Sequence, residues 1–223
     1  VLAAAHRYRR KVLVASTSEI YGKNSTVGLR EDSDRIMGSP KVARWAYSTS
    51  KAVDEILSFA YHKERGVPTV IVRLFNTVGP RQTGAYGMVL PRFAQQALAG
   101  QRLEVHGDGG QSRCFCHVRD VVRAIAQLLT EEDAVGDVFN VGSSEEVTIL
   151  ELAQRVIRAC ESASSVEFLP YDVAYEEGFE DMRRRVPDTT KLRSLIGWTP
   201  RFSLDEIVAE VVQEARAKES ALV

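Results

Sequence analysis

Two short runs rich in β-branched residues, 11–16 (KVLVAS) and 69–75 (TVIVRLF), lie on either side of one long helical stretch. Continuous apolar runs of this length mark strands buried on both faces, as in parallel sheets. The stretch 47–64 repeats with helical period, placing Val53, Ile56, Leu57 and Ala60 on one stripe, and Gly66-Val67-Pro68 ends it. Parallel neighbours cannot be joined by a tight turn, so this order predicts a right-handed strand–helix–strand crossover. The expected fold class is therefore α/β, a doubly wound parallel sheet.

After Gly79 the texture changes. Shorter elements alternate: helices over 90–99, 117–129, 149–160, 189–196 and 204–215, and strands over 103–106, 138–141 and 166–169. Ser203 with Glu206 three residues later predicts a capping box on the last helix. This part reads as a smaller lobe set on the sheet, giving expected domains of 1–80 and 81–223, with some chain of the second returning to the sheet. Ahead of the first strand, Leu2-Ala3-Ala4-Ala5 followed by His6-Arg7-Tyr8-Arg9-Arg10 reads as the last turns of a helix, with cations at its negative end. A chain that opens in mid-pattern with Val is expected to be a fragment, and an open sheet edge would favour self-association.

The 223 residues are 44% hydrophobic, enough for one sizeable core or one domain and part of another. A formal net charge of −1 gives no pull toward nucleic acid or an anionic membrane, and no apolar run approaches a membrane span. Cys114, Cys116 and Cys160 are an odd set without framework spacing, which fits a reducing cytoplasm. Cys114 and Cys116 would share one face of a strand, but no second pair completes a metal site, so buried core is the reading and no metal is expected. His6, His62, His106 and His117 are isolated and show no metal spacing. Trp45 and Trp198 are read as packing residues.

Chemistry gathers in five places. In Tyr47-Ser48-Thr49-Ser50-Lys51, the Tyr and Lys stand one helical turn apart on one face. An ammonium beside a phenol stabilises the phenolate, and a positively charged nicotinamide ring would do so further, so the pair makes chemical sense chiefly beside an oxidised cofactor. By itself such a pair recurs on solvated helix faces. Ser16-Thr17-Ser18-Glu19-Ile20-Tyr21-Gly22 follows a buried strand directly, at the end where open parallel sheets bind ligands. A turn whose hydroxyls serve only the backbone is the alternative there. Arg73-Leu74-Phe75-Asn76-Thr77-Val78-Gly79-Pro80-Arg81 follows the next strand. Gly107-Asp108-Gly109-Gly110-Gln111-Ser112-Arg113 and Arg183-Arg184-Arg185-Val186-Pro187-Asp188 supply arginines that could converge on a diphosphate, although each alone is an ordinary surface residue.

Taken together and in this order, the motifs resemble the extended short-chain dehydrogenase/reductase family of nucleotide-sugar epimerases, dehydratases and decarboxylases, over nearly the whole chain. The resemblance implies a Rossmann-type fold, NAD as cofactor, a nucleoside-diphosphate sugar as substrate and a homodimer. It implies that Tyr47 is the base that takes a sugar hydroxyl proton, that Lys51 holds the nicotinamide ribose, and that Thr17 hydrogen-bonds the same hydroxyl. Ser16 and Phe75 fall with Tyr47 and Lys51 at cofactor positions. Thr17, Ser18, Asn76, Arg81, Arg113, Asn140 and Arg185 fall at substrate positions, with Arg185 gripping phosphate or assisting catalysis. The family's Gly-rich phosphate turn is missing from these residues: Gly84 and Gly87 have the spacing but Leu90 replaces the third glycine, and after Gly107 and Gly109 Ser112 breaks the other form.

The family's reactions share a 4-keto sugar and diverge afterwards. An epimerase needs no further acid or base, a 4,6-dehydratase needs a carboxylate near C5, and a uronate carries its own carboxylate beta to the new ketone. Glu19 stands where dehydratases and UDP-glucuronate decarboxylases carry glutamate, and Ser18 resembles the decarboxylases and the GDP-mannose dehydratases. Arg44-Trp45-Ala46-Tyr47-Ser48, Arg113-Cys114-Phe115 and Gly178-Phe179-Glu180-Asp181 look most like the bacterial decarboxylase branch. UDP-glucuronate decarboxylation is thus the expected activity, with 4-epimerisation or 4,6-dehydration as alternatives, and a catalytically silent binding or scaffold subunit as the alternative of another class.

Overall fold

The computed structural model describes residues 1–83, 88–171 and 182–220. Helix α1 (Leu2–Tyr8) leads into β1 (Val12–Thr17), a single 3-10 turn (Ser18–Tyr21), the long α2 (Arg44–Arg65), and β2 (Thr69–Leu74). Then follow β3 (Thr77–Val78), α3 (Val89–Leu98), β4 (Leu103–His106), β5 (Ser112–Cys114), β6 (Cys116–His117), α4 (Val118–Thr130) and β7 (Asp137–Val141). The remainder is β8 (Glu146–Thr148), α5 (Ile149–Cys160), β9 (Val166–Leu169), α6 (Thr190–Ile196) and α7 (Leu204–Ser220). The expected glycine spacing at Gly84 and Gly87 and the Gly178–Asp181 motif lie outside the described residues.

The main sheet has the order β1-β2-β7 and is parallel throughout, so the strand–helix–strand expectation holds and β7 returns from the second half of the chain. Side chains alternate across β2. Val70 and Val72 pack with Val121, Ala124 and Leu128 of α4 and with Leu192 and Trp198. Thr69 and Arg73 turn instead to α2, bonding Ser58 and Glu55. The central strand β2 is therefore covered on both faces, whereas the edge strand β1 is only half-buried over Val12–Val14 and exposed at Ala15. A second apolar cluster joins Leu90 and Phe93 of α3, Leu103 and Val105 of β4, Leu152 and Val156 of α5, and Ile207 and Val211 of α7. Each such side chain contributes roughly 1.5–3 kcal/mol through burial.

The helices end where local chemistry dictates. Gly66 adopts the left-handed conformation that closes α2, with its N–H on the His62 carbonyl. Ser203 and Glu206 form the expected reciprocal cap of α7. A second capping box, Thr148 with Glu151, opens α5.

The apolar stripe of α2 faces outward: Val53, Ile56 and Leu57 are 48%, 61% and 45% exposed. The face turned to the sheet carries Trp45, Ser48, Ala52, Glu55 and Ser58. Beyond Trp45 in the first turn, small and polar residues win this face because the sheet beneath presents polar side chains that need partners.

Candidate active site

Those polar side chains form a row across the sheet. Ser16, Arg73 and Asn140 are register partners on β1, β2 and β7 near their carboxyl ends. Glu55, reaching down from α2, accepts from Ser16 Oγ at 2.5 Å and from Arg73 Nε and Nη2 at 2.9 and 2.7 Å. Arg73 Nη1 also donates to Tyr21 Oη at 3.0 Å, and Tyr21 donates onward to Asn140 Oδ1 at 2.7 Å. Burial pushes the Tyr21 phenol up, against the opposing pull of Arg73, so it serves as a hydroxyl donor. This network is a floor that fixes the strand ends, the 3-10 turn and α2 relative to one another.

Above the floor the 3-10 turn carries Glu19. Thr17 starts the turn, its Oγ1 accepting the Glu19 N–H at 3.2 Å, and Ser18 is buried within it. Ser48 Oγ of α2 donates to the Glu19 carbonyl at 2.8 Å. The Glu19 carboxylate accepts from Arg185 Nη1 and from Arg44 Nη2 at 3.4 Å. Arg185 Nη2 donates to Asn76 Oδ1 at 2.8 Å, and Asn76 Nδ2 donates to the Cys114 carbonyl at 2.9 Å. Burial, the largest single influence on Glu19, pushes its carboxyl up. The charges of Arg185, Arg44 and Arg113 and the Arg185 hydrogen bond outweigh it and hold Glu19 below its ordinary range. Three guanidiniums surround this partly buried carboxylate, and the buried Nε of Arg185 has no hydrogen-bond partner among the described residues.

Tyr47 stands in the first turn of α2, which begins at the carboxyl end of the sheet, and is 54% exposed. Lys51, one turn on, is anchored by Asp54 at 3.1 Å. Tyr47 and Lys51 thus stand one turn apart at the carboxyl end of the sheet, a phenol and an ammonium of the chemistry a cofactor ribose would need. No glycine turn for its pyrophosphate occurs in the 223 residues.

The structure brings Thr17, Ser18, Glu19, Asn76, Arg113 and Arg185 to one place and sets Tyr47 and Lys51 on the adjoining helix. Others fall elsewhere. Asn140, expected to meet substrate, is 0% exposed, and its amide is spent on Tyr21, the Leu29 carbonyl and the Asp188 carbonyl. It braces the floor, because β7 turns its side chain into the row. Ser16, expected at the cofactor, likewise spends its hydroxyl on Glu55. Phe75 is buried, its ring 6.3 Å from that of Tyr21. Arg81 is exposed, with a left-handed backbone whose N–H donates to Glu214 of α7 at 2.5 Å. The three consecutive arginines do not converge: Arg183 pairs with Asp108 at 3.2 Å, Arg184 with Glu146 at 2.5 Å, and only Arg185 reaches Glu19.

Sequence reasoning missed Glu55. Its signal was an acidic residue on a helix face shared with Ser48, Ala52 and Ser58, a face too small and polar to pack on an ordinary sheet. Cys114 and Cys116 are buried, and burial pushes both thiols up to about 12, as expected of core residues.

The chain is similar to known proteins along most of its length. A family model described as GDP-mannose 4,6 dehydratase matches residues 1–211. A UDP-N-acetyl-alpha-D-glucosaminuronate decarboxylase of Bacillus cytotoxicus is 39% identical over 221 residues, covering 99% of this chain and 68% of its own. UDP-glucuronic acid decarboxylase 1 of Danio rerio is 36% identical over 213 residues, covering 96% of this chain and 49% of its own. Among solved structures, dTDP-glucose 4,6-dehydratase of Bacillus anthracis in complex with NAD superposes with a TM-score of 0.85 at 27% identity, over 98% of this chain and 66% of that one. UDP-glucuronic acid 4-epimerase of Bacillus cereus, in complex with UDP-glucuronic acid and NAD, gives 0.85 at 26% identity, over 97% and 65%. The chain thus spans from about half to about two thirds of the length of these proteins.

Proposed function

Because the chain belongs to the GDP-mannose 4,6 dehydratase family, we propose that it carries the catalytic and substrate-holding part of an NAD-dependent enzyme that decarboxylates UDP-glucuronate through a 4-keto sugar. The observation that carries this reading is the Glu19 carboxylate, held ionised by Arg185 and Arg44 beside Thr17 and Asn76. A plain epimerase has no need of such a group, whereas a site that binds a uronate must manage a second carboxylate. The guanidiniums of Arg44, Arg113 and Arg185, gathered about Glu19, suit such a group.

In this reading NAD, when bound, supplies the hydride acceptor. Tyr47 takes the proton of the sugar 4-hydroxyl, and Lys51 orients the ribose and stabilises the phenolate. Thr17 Oγ1 is positioned to bond the same hydroxyl. Arg185 moves from Glu19 toward the substrate carboxylate or diphosphate, and Asn76 guides its fork. Loss of carbon dioxide then follows from the position of the carboxylate, beta to the ketone; the enolate left behind takes a proton at C5, and the 4-ketone is reduced back to the alcohol as Tyr47 returns its proton.

The reading divides the chain into 1–80, part of the cofactor domain, and 81–223, mainly a substrate lobe with β7 returned to the sheet. It makes the outward stripe Val53, Ile56 and Leu57 a homodimer surface, since contiguous exposed apolar residues on one helix mark an interface. It places the protein in a reducing cytoplasm, where three free, buried cysteines are at home. Among the described residues no helix is long and apolar enough to cross a membrane.

The test is incubation of the protein with NAD and carboxyl-labelled UDP-glucuronate. Release of labelled carbon dioxide, lost in Tyr47→Phe, is expected. Epimerisation of a neutral sugar nucleotide without any release of carbon dioxide overturns the reading.

A further inference from the structure

At the opposite end of the sheet from Glu19, a cavity of about 330 Å³ opens between the carboxyl end of α1 and the carboxyl end of α2. Ala5, Val67 and Pro68 contribute apolar surface, and His6, Arg9 and Arg65 are the ionisable side chains that line it. No carboxylate stands within ion-pair distance of these three among the described residues. Neighbouring Lys11, by contrast, has found Glu132 at 2.9 Å.

Part of this charge has a local cause. Cations at a helix carboxyl end complement the partial negative charge of its last carbonyls. That accounts for Arg9 beyond α1 and Arg65 at the end of α2, each in isolation. It does not account for their meeting across one concavity. Gly66 and Val67 already donate to the His62 and Tyr61 carbonyls of α2, and Arg10 donates to the Ala5 carbonyl of α1. Backbone N–H groups thus already close part of each helix end. Two planar forks and an imidazole around an open space match a phosphate, whose oxygens accept several bonds at once. The volume is several times that of a phosphate, and the Ala5, Val67 and Pro68 wall offers apolar contact to what the phosphate carries.

We propose that this cavity is a second binding site, for a phosphate-bearing small molecule, separate from the site at Glu19. Helix α2 carries Tyr47 near one end and Arg65 at the other, so the two sites lie about 27 Å apart along it. The proposal is independent of the reaction assigned to the Glu19 site.

The experiment titrates the protein with inorganic phosphate, by calorimetry and by following the imidazole resonances of His6. Saturable binding in the millimolar range that shifts the His6 resonances is expected. In the double variant Arg9→Gln/Arg65→Gln the affinity falls at least tenfold, while Arg9→Lys/Arg65→Lys keeps part of it. Arg9 and Arg65 are both exposed, so thermal melts of the variants should match the parent. Phosphate that binds without moving His6, binds equally well to the Gln variant, or never saturates overturns the proposal.

Discussion

Arg73 and Glu55 face each other beneath the site through two parallel hydrogen bonds of 2.9 and 2.7 Å, and both side chains are buried. Removing one partner leaves the other charged and unpaired in a low-dielectric interior. Glu55→Leu should therefore cost about 3–5 kcal/mol. The double variant Glu55→Leu/Arg73→Met should recover much of that loss. Urea unfolding of the two variants measures both numbers, and a single-variant loss under about 1 kcal/mol would contradict the network.

Glu19 makes stability depend on pH. Its folded pKa lies below the ordinary value of 4.5. A depressed carboxylate contributes stability that is present above the unfolded pKa and is lost as pH falls through the folded pKa. Acid unfolding of the parent should thus steepen below about pH 4.5, and Glu19→Gln should flatten that limb. Parallel limbs in the two proteins would show that Glu19 is not held by its arginines in solution.

Tyr47 is more than half exposed, so its hydroxyl supports little of the fold. Tyr47→Phe should alter stability by no more than about 0.5 kcal/mol. Turnover should fall by about 100- to 10,000-fold, the range for loss of a positioned acid–base group. An unchanged rate would remove Tyr47 from the chemistry.

Cys114 and Cys116 should resist alkylation. With thiols pushed up to about 12 and buried, neither presents thiolate at about pH 8. Iodoacetamide should label neither in the folded protein and both in denaturant, as read by mass spectrometry. Rapid labelling without denaturant would mean that the strands bearing them open readily.

The outward stripe of α2 gives the fifth expectation. Ile56→Glu should weaken self-association at least about a hundredfold, as for a residue at the centre of an apolar interface, and leave the melting temperature of the monomer near that of the parent. Sedimentation velocity over a concentration series reads the effect. A parent protein that stays monomeric at high concentration contradicts the surface.

Much of the framework was legible in the chain. The Val-rich runs 11–16 and 69–75 both became strands, although only the second is buried along its length and β1, at the sheet edge, is buried only at Ser16 and Thr17; the Ser203 and Glu206 pair announced its helix start. The positions of Thr17 and Glu19 followed from the place of their motif after a strand. What periodicity could not supply was direction. It shows that Val53, Ile56 and Leu57 share a stripe of α2, but a stripe can meet the sheet or a partner equally well. The choice is made by Glu55, which must meet Arg73, and the two are brought together only by the crossover. Asn140 illustrates the same limit: its residue type suits a ligand contact, yet register with Arg73 turns it into the floor.

The row Ser16, Arg73 and Asn140 also bears on how the sheet finds its alignment. Adjacent residues of a strand point to opposite faces, so a slip of one position inverts every side chain. Shifted so, Arg73 would enter the apolar layer beneath α4 and Glu55 would be stranded without a cation. An all-valine sheet could tolerate such errors at modest expense, since each face would still be greasy. Here a misaligned strand buries two opposite charges apart from each other, and the polar row acts as a proofreader of strand alignment as the chain folds.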